Sequence, residues 1–120
     1  MGLDANPNQT VRSLSGGNRR KVELARAMLH HPRMLLMDEA TVGLDPASRV
    51  QLQKAVAKLQ RDHKLATLWT THLVDEAALA DRVVVLAGGR ILFDGSPQIC
   101  CEYTGCPNLE TAFLTLTVNQ

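Results

Sequence analysis

Between residues 17 and 30, apolar side chains recur at Val22, Leu24, Ala25, Met28 and Leu29, the three-to-four spacing of one helix face. Ser15 stands as a candidate N-cap, and Gly16 and Gly17 open the turn. The spacing predicts a helix from about Gly17 to His30, stopped by Pro32, with His30 and His31 at the negative end of its dipole. The run Met34-Leu35-Leu36-Met37 is continuously apolar and halts at Asp38 and Glu39, which predicts a strand buried on both faces with carboxylates at its C-terminal edge. After a turn from Thr41 to Asp45, Pro46 suits a first helical position, and Val50, Leu52, Ala55, Val56 and Leu59 give an amphipathic helix to about Arg61. Leu65 to Thr71 reads as a second buried strand ending in His72, and Leu73 to Ala80 as a short helix with Asp75 and Glu76 near its start. Val83 to Leu86 and Ile91 to Phe93 flank Gly88-Gly89-Arg90 as a hairpin, and Leu109 to Leu116 is weakly helical. Met1 to Arg12 has no sustained period and reads as a loop. Strand, helix, strand, helix predicts an α/β fold, a parallel sheet with covering helices.

Composition narrows the function classes. The 120 residues are 45% hydrophobic and carry 13 Lys plus Arg against 12 Asp plus Glu, which excludes the disorder signature. A chain of this length buries roughly two-thirds of its unfolded surface, enough for one core. Net charge of +1 and four aromatics argue against a nucleic-acid binder working by charge and base stacking, so no nucleic-acid partner is expected. The longest apolar runs fall far short of the roughly 20 residues that cross a bilayer, and no secretory leader pattern is seen, so a cytoplasmic chain is expected. Cys100, Cys101 and Cys106 lack paired C-x-x-C spacing and are expected to be free thiols. Arg12, Arg19, Arg20, Lys21, Arg26 and Arg33 cluster around the glycine pair, which fits an anion site or the solvated face of a helix.

Four groups of residues are placed for chemistry. Ser15-Gly16-Gly17 at a helix start offers unpaired backbone N–H groups, a hydroxyl and the positive dipole end, an anion cradle, although glycine pairs there also serve as plain turns. Asp38 and Glu39, adjacent on a strand, would point to opposite faces and could divide the chemistry, one holding a magnesium ion through its water shell and the other aligning or deprotonating a water. The bland alternative is a solvated strand end. His72 closes the next strand and can hydrogen-bond a phosphate oxygen, or be a satisfied core imidazole. Asp45, before Pro46, is sufficiently explained as an N-cap.

In this order the pieces resemble the ATP-binding domain of ABC transporters. L-S-G-G-N-R-R-K-V-E-L-A-R-A at 14 to 27 resembles the signature motif, M-L-L-M-D-E at 34 to 39 the Walker B strand with its glutamate, A-T-V-G-L-D at 40 to 45 the D-loop, and T-T-H at 70 to 72 the switch-histidine strand. V-V-V-L-A-G-G-R-I-L-F-D-G at 83 to 95 is similar to the family's following hairpin. The resemblance implies ATP and Mg2+ as cofactors and a role for each residue. Ser15, Gly16 and Gly17 would grip the terminal phosphate of ATP bound to the opposite subunit; Asp38 would hold magnesium through water. Glu39 would polarise the attacking water, His72 would contact the terminal phosphate, and Asp45 would reach the partner's phosphate loop. It also implies as partners a membrane permease and a second ATP-binding domain in a head-to-tail dimer, at the inner face of the cell membrane. Residues 1–31 would end a helical subdomain, 32–95 would hold the catalytic core strands, and 96–120 would be a tail. Asn18 in the signature, D-E-A-T-V-G-L-D and W-T-T-H-L-V-D-E look most like exporter-type ATPases, and N-L-E-T-A-F-L-T-L-T at 108 to 117 resembles subunits associated with pyrroloquinoline-quinone-dependent alcohol oxidation. Ala40 replaces the commoner proline after the glutamate.

One family motif is absent. No G-x-x-x-x-G-K-[ST] occurs, and the resemblance covers only about the C-terminal half of a family domain, so the N-terminal half with its phosphate cradle is missing. The chain is therefore expected to be inactive alone. The alternative is a short, non-catalytic protein that offers its signature residues in trans to a complete ATPase.

Overall fold

A computed structural model describes residues 16–118, in which nine elements run α, β, α, β, α, β, β, α, α. They fall into two compact units that divide between Thr70 and Thr71.

The first unit contains α1 (Gly16–Met28), β1 (Met34–Asp38), α2 (Pro46–His63) and β2 (Ala66–Thr70). β1 and β2 pair in parallel with Met34 opposite Ala66 and Asp38 opposite Thr70, joined by α2 as a parallel pair requires. α2 starts under an Asp45 cap with Pro46 in its first turn, and Lys64 ends it in the left-handed region at φ 50°. Its inner stripe is Leu52, Ala55, Val56 and Leu59, packed with Leu24, Leu35, Ala40 and Leu65 into one core. Leu52 is fully enclosed, and burying a side chain of that size contributes about 1.5–3 kcal/mol.

Two expectations need correction here. The inward face of α1 is marked by Gly17, Leu24 and the half-buried Met28, while Leu29 is exposed, because the apolar positions of this helix span more than one face. β1 is covered on one side only: Leu35 is buried, yet Leu36 is 69% exposed and Met34 faces outward with it. The continuous apolar run predicted burial on both faces, but among the described residues the helices of this unit cover one.

The second unit contains α3 (Val74–Ala77), β3 (Val83–Ala87), β4 (Arg90–Gly95), α4 (Pro97–Thr104) and α5 (Leu109–Val118). β3 and β4 form the expected antiparallel hairpin, with Gly88 and Gly89 at φ 57° and 74° supplying the two left-handed positions of its turn. The pairing slips between Val85 and Leu86, so that Phe93 faces Val85 and Ile91 faces Leu86, leaving Leu92 as a bulge. Val83, Val85, Cys100, Leu109 and Ala112 form the core of this unit. α4 is a helix that the hydrophobic periodicity did not predict. Ser96 caps it by accepting from the Ile99 amide at 3.1 Å, Pro97 follows, and Gly105 terminates it at φ 70°.

Candidate functional site

The carboxylates expected at the strand ends lie in the first unit. Asp38 closes β1 directly opposite Thr70, the last residue of β2. The Thr70 hydroxyl donates to Oδ1 of Asp38 at 2.5 Å and accepts from the Glu39 amide at 3.0 Å. The same amide also donates to the Thr70 carbonyl at 3.1 Å. One hydroxyl thus orients the aspartate and ties down the backbone of the glutamate. Thr70 is the partner of these candidate residues that sequence reasoning missed, although a threonine at the end of the neighbouring strand was the available signal.

Glu39 does not continue the strand. Its φ is 49°, in the left-handed region that costs an L residue roughly 1–2 kcal/mol. Asp38 and Glu39 therefore do not alternate across a sheet as expected, because the chain turns between them. The turn continues with Val42 N–H donating to the Glu39 carbonyl and Leu44 N–H to that of Thr41, both at 3.1 Å, and Gly43 takes φ 81°. Ala40 and Thr41 are buried, which anchors a loop whose next charged residue is Asp45.

Asp45 has the capping role that sequence alone assigned. Its carboxylate accepts from the Ser48 amide at 3.2 Å, and hydrogen bonds from Ser48 hold its pKa below the ordinary value. The glycine pair lies against this same helix start. A Cβ on Gly17 would sit 2.9 Å from both Cβ and Oγ of Ser48, and one on Gly16 would sit 3.3 Å from Cδ2 of Leu44. Glycine at 17 lets the first turns of α1 and α2 approach closely, leaving two helix N-termini side by side. Ser15 lies outside the described residues.

His72 is placed in the second unit, two residues beyond β2, and is exposed. Its segment is fixed by Thr71, whose hydroxyl donates to Glu76 at 2.6 Å and accepts from the Leu73 amide at 2.9 Å. The structure brings together Asp38, Glu39 and Thr70, and groups Gly16, Gly17 and Asp45.

A magnesium ion fits this donor set in one way. Among the described residues no group of three or more His, Cys, Asp or Glu could enclose a cation. Asp38 is exposed and its carboxylate is fixed by a neutral hydroxyl, which suits an ion that keeps most of its waters and takes its remaining ligands from phosphate. A shallow cleft of about 170 Å³ reaches Asp38 and is walled by Arg20, Glu23, Leu24, Leu36 and Met37.

This fold and this order of residues define a class: the chain carries part of an ABC transporter ATP-binding domain. A sequence profile of the family described as "ABC transporter" matches residues 1–42. The aliphatic sulfonates import ATP-binding protein SsuB of Burkholderia pseudomallei strain K96243 is 45% identical over 95 residues, 78% of this chain and 29% of that protein. The Nod factor export ATP-binding protein I of Neorhizobium galegae is 42% identical over 110 residues, 90% of this chain and 31% of that protein. The structure of cbiO1 from Clostridium perfringens, part of the ABC transporter complex cbiONQ, superposes with a TM-score of 0.75 at 28% identity, over 82% of this chain and 39% of that one. The chain thus spans about a third of the length of the curated relatives it matches.

Proposed function

We propose that the chain supplies the magnesium-binding, water-activating and signature-motif portion of an ATPase that drives transport through a membrane permease. The observation that carries this reading is the coupling of Asp38 and Glu39 through the Thr70 hydroxyl at the C-terminal edge of the parallel strands, where α/β sheets place their chemistry.

Each residue then has a defined part. Asp38, held by Thr70, would bind magnesium through water, and the ion when bound supplies charge to neutralise the phosphates. Glu39, turned off the strand by its left-handed backbone, would accept hydrogen bonding from the attacking water and polarise it. Ser15, Gly16 and Gly17 would present amides and a hydroxyl at the start of α1 to the terminal phosphate of a nucleotide held by a second ATP-binding domain, in a head-to-tail dimer. Asp45 would cross to that partner's phosphate loop, and His72 would donate to the terminal phosphate. The absence of G-x-x-x-x-G-K-[ST] supports assigning the nucleotide cradle to residues outside this sequence.

Relatives named for import and for export match most of the same chain, which supports placing the direction of transport in the permease rather than in these residues. The exporter and alcohol-oxidation expectations therefore narrow to an ATP-binding subunit working at the inner membrane face.

The test is ATP hydrolysis by the 120-residue chain and by a reading frame extended upstream to include a P-loop. The short chain is expected to match buffer. The extended protein is expected to turn over, and Glu39→Gln should lower its rate by about 10²–10⁴. Turnover by the short chain, or an extended protein indifferent to Glu39→Gln, would refute the assignment.

A further inference from the structure

α4 ends in a complete Schellman cap. Gly105 takes the left-handed position at φ 70°, its N–H donates to the Glu102 carbonyl at 3.3 Å, and the Cys106 N–H donates back to the Cys101 carbonyl at 3.0 Å. In this motif the side chains of the two residues joined by the outer hydrogen bond, which closes the wider loop of chain, meet in a contact that is ordinarily hydrophobic. Here both are cysteines. With the carbonyl bond angle kept at about 120°, bond lengths limit their α-carbons to about 6.9 Å even when the rest of the path through that hydrogen bond is straightened. The bent path of a turn brings them within the roughly 4.4–6.8 Å that a disulfide spans.

The three thiols differ in their surroundings. Cys100 is fully enclosed in the core of this unit, and burial pushes its thiol up from the ordinary value. Cys101 and Cys106 are half-buried, and all three are free. The Cys106 sulfur lies 3.4 Å from the Thr115 hydroxyl, and hydrogen bonding from the Thr115 side chain first, then that of Thr104, holds its pKa below the ordinary value, while its S–H reaches the Thr104 carbonyl at 3.7 Å. The Thr115 hydroxyl also bonds to the Thr111 carbonyl at 2.9 Å, so turning its proton onto sulfur requires only rotation about one bond.

We propose that Cys106 and Cys101 form a reversible dithiol–disulfide pair, with Cys106 the thiol that meets a hydroperoxide and Cys101 the one that resolves it. The Cys106 thiolate attacks the peroxide, the O–O bond breaks, and an S–O bond forms as hydroxide leaves and takes up a proton to become water. Cys101 then attacks the sulfenic sulfur: the S–S bond forms, the S–O bond breaks, and water departs with the Cys101 proton. Two thiols are oxidised and one peroxide is reduced. A small-molecule thiol reverses the step. The bridge would staple the last turn of α4 to the residue beyond its glycine cap.

The full chain is treated with hydrogen peroxide, blocked with N-ethylmaleimide and digested. No Lys or Arg follows Arg90, so trypsin releases residues 91–120 as one piece, expected to carry no more than one N-ethylmaleimide, on Cys100, and to be lighter by two hydrogens than the dithiol with the same label. Cleavage after Glu102 and Glu110 should leave residues 91–102 joined to 103–110, with fragmentation placing the link at Cys101. Cys100→Ser should keep the link, and Cys101→Ser should abolish it while leaving Cys106 open to dimedone. In the folded chain the link should form about tenfold faster than in urea, where the cap and the threonine contacts are gone. A link to Cys100, equal rates folded and unfolded, or conversion of all three thiols to sulfinic acid without a bridge would overturn the proposal.

Discussion

Thr70 and Asp38 share one short hydrogen bond, 2.5 Å from hydroxyl to Oδ1, across the last register position of the parallel pair. The hydroxyl also receives the Glu39 amide, which it shares with the Thr70 carbonyl, so a single neutral side chain bonds to one carboxylate and to the backbone of the other. Thr70→Val, nearly isosteric, removes both bonds, whereas Thr70→Ser keeps them. The site is exposed, so Thr70→Val should cost only about 1 kcal/mol by chemical denaturation, and Thr70→Ser a few tenths. In the extended protein the apparent affinity for magnesium should weaken with Thr70→Val and recover with Thr70→Ser. Equal magnesium affinity in all three proteins would remove Thr70 from the site.

Glu39 occupies a backbone conformation that its side chain does not favour. Glycine relieves that strain but loosens the unfolded chain, while valine is among the worst residues for a left-handed position. Glu39→Gly should therefore leave stability within about 1 kcal/mol of the parent, and Glu39→Val should lower it by about 1–2 kcal/mol. Denaturant midpoints measure both. A Glu39→Val protein as stable as Glu39→Gly would show that the left-handed turn is not maintained in solution.

The sequence carried more of the element order than of the site geometry. Strands at Met34 and Ala66, the long Pro46 helix and the Gly88-Gly89 hairpin follow from apolar period and turn chemistry, which act locally. α4 escaped because its apolar residues have no clear period, yet Ser96-Pro97 at one end and Gly105 at the other are the usual start and stop signals. Burial on both faces of β1 was overestimated because an apolar run records what a strand can accept, whereas the described helices cover only the Leu35 face. The left-handed turn at Glu39 left no trace, since a glutamate does not advertise that conformation. The hydroxyl bridge from Thr70 depends on strand register, which no local window contains.

Asp45 and Asp94 should make stability depend on acidity in the same direction. Hydrogen bonds from Ser48 lower the Asp45 pKa from its ordinary 3.8, and the Arg82 guanidinium, bonded to both carboxylate oxygens at 2.6 and 2.7 Å, lowers that of Asp94. A carboxyl group whose folded pKa is depressed binds fewer protons folded than unfolded below that ordinary value. Its contribution is thus fully present above about pH 4 and is lost as pH falls through the lowered folded pKa. Both groups lie at the surface, so the effect should be modest and weaken with salt. Thermal melts between about pH 2 and pH 6, set by these shifts, should show a smaller acid-induced fall for Asp45→Asn, which keeps a capping oxygen without titrating. An unchanged slope in Asp45→Asn would mean the cap is not formed.

Gly17 has a packing role, and the signature role proposed for it can be separated from that packing. A methyl group at this position would come within 2.9 Å of the Ser48 side chain, so Gly17→Ala forces α1 and α2 apart at their first turns. Overpacking of this kind costs about 1–3 kcal/mol, offset in part by the better helix propensity of alanine. Ser48→Gly removes the opposing Cβ and Oγ, at the expense of one hydrogen-bonding partner of Asp45. The double variant should therefore be more stable than the sum of the single changes by about 1 kcal/mol, the coupling expected of residues in direct contact. If ATP turnover in the extended protein also returns in the double variant, close helix approach is what Gly17 supplies. If stability returns and turnover does not, open backbone at the start of α1 is itself required, as contact with a phosphate would demand. Strictly additive stabilities would show that the two helix starts do not touch.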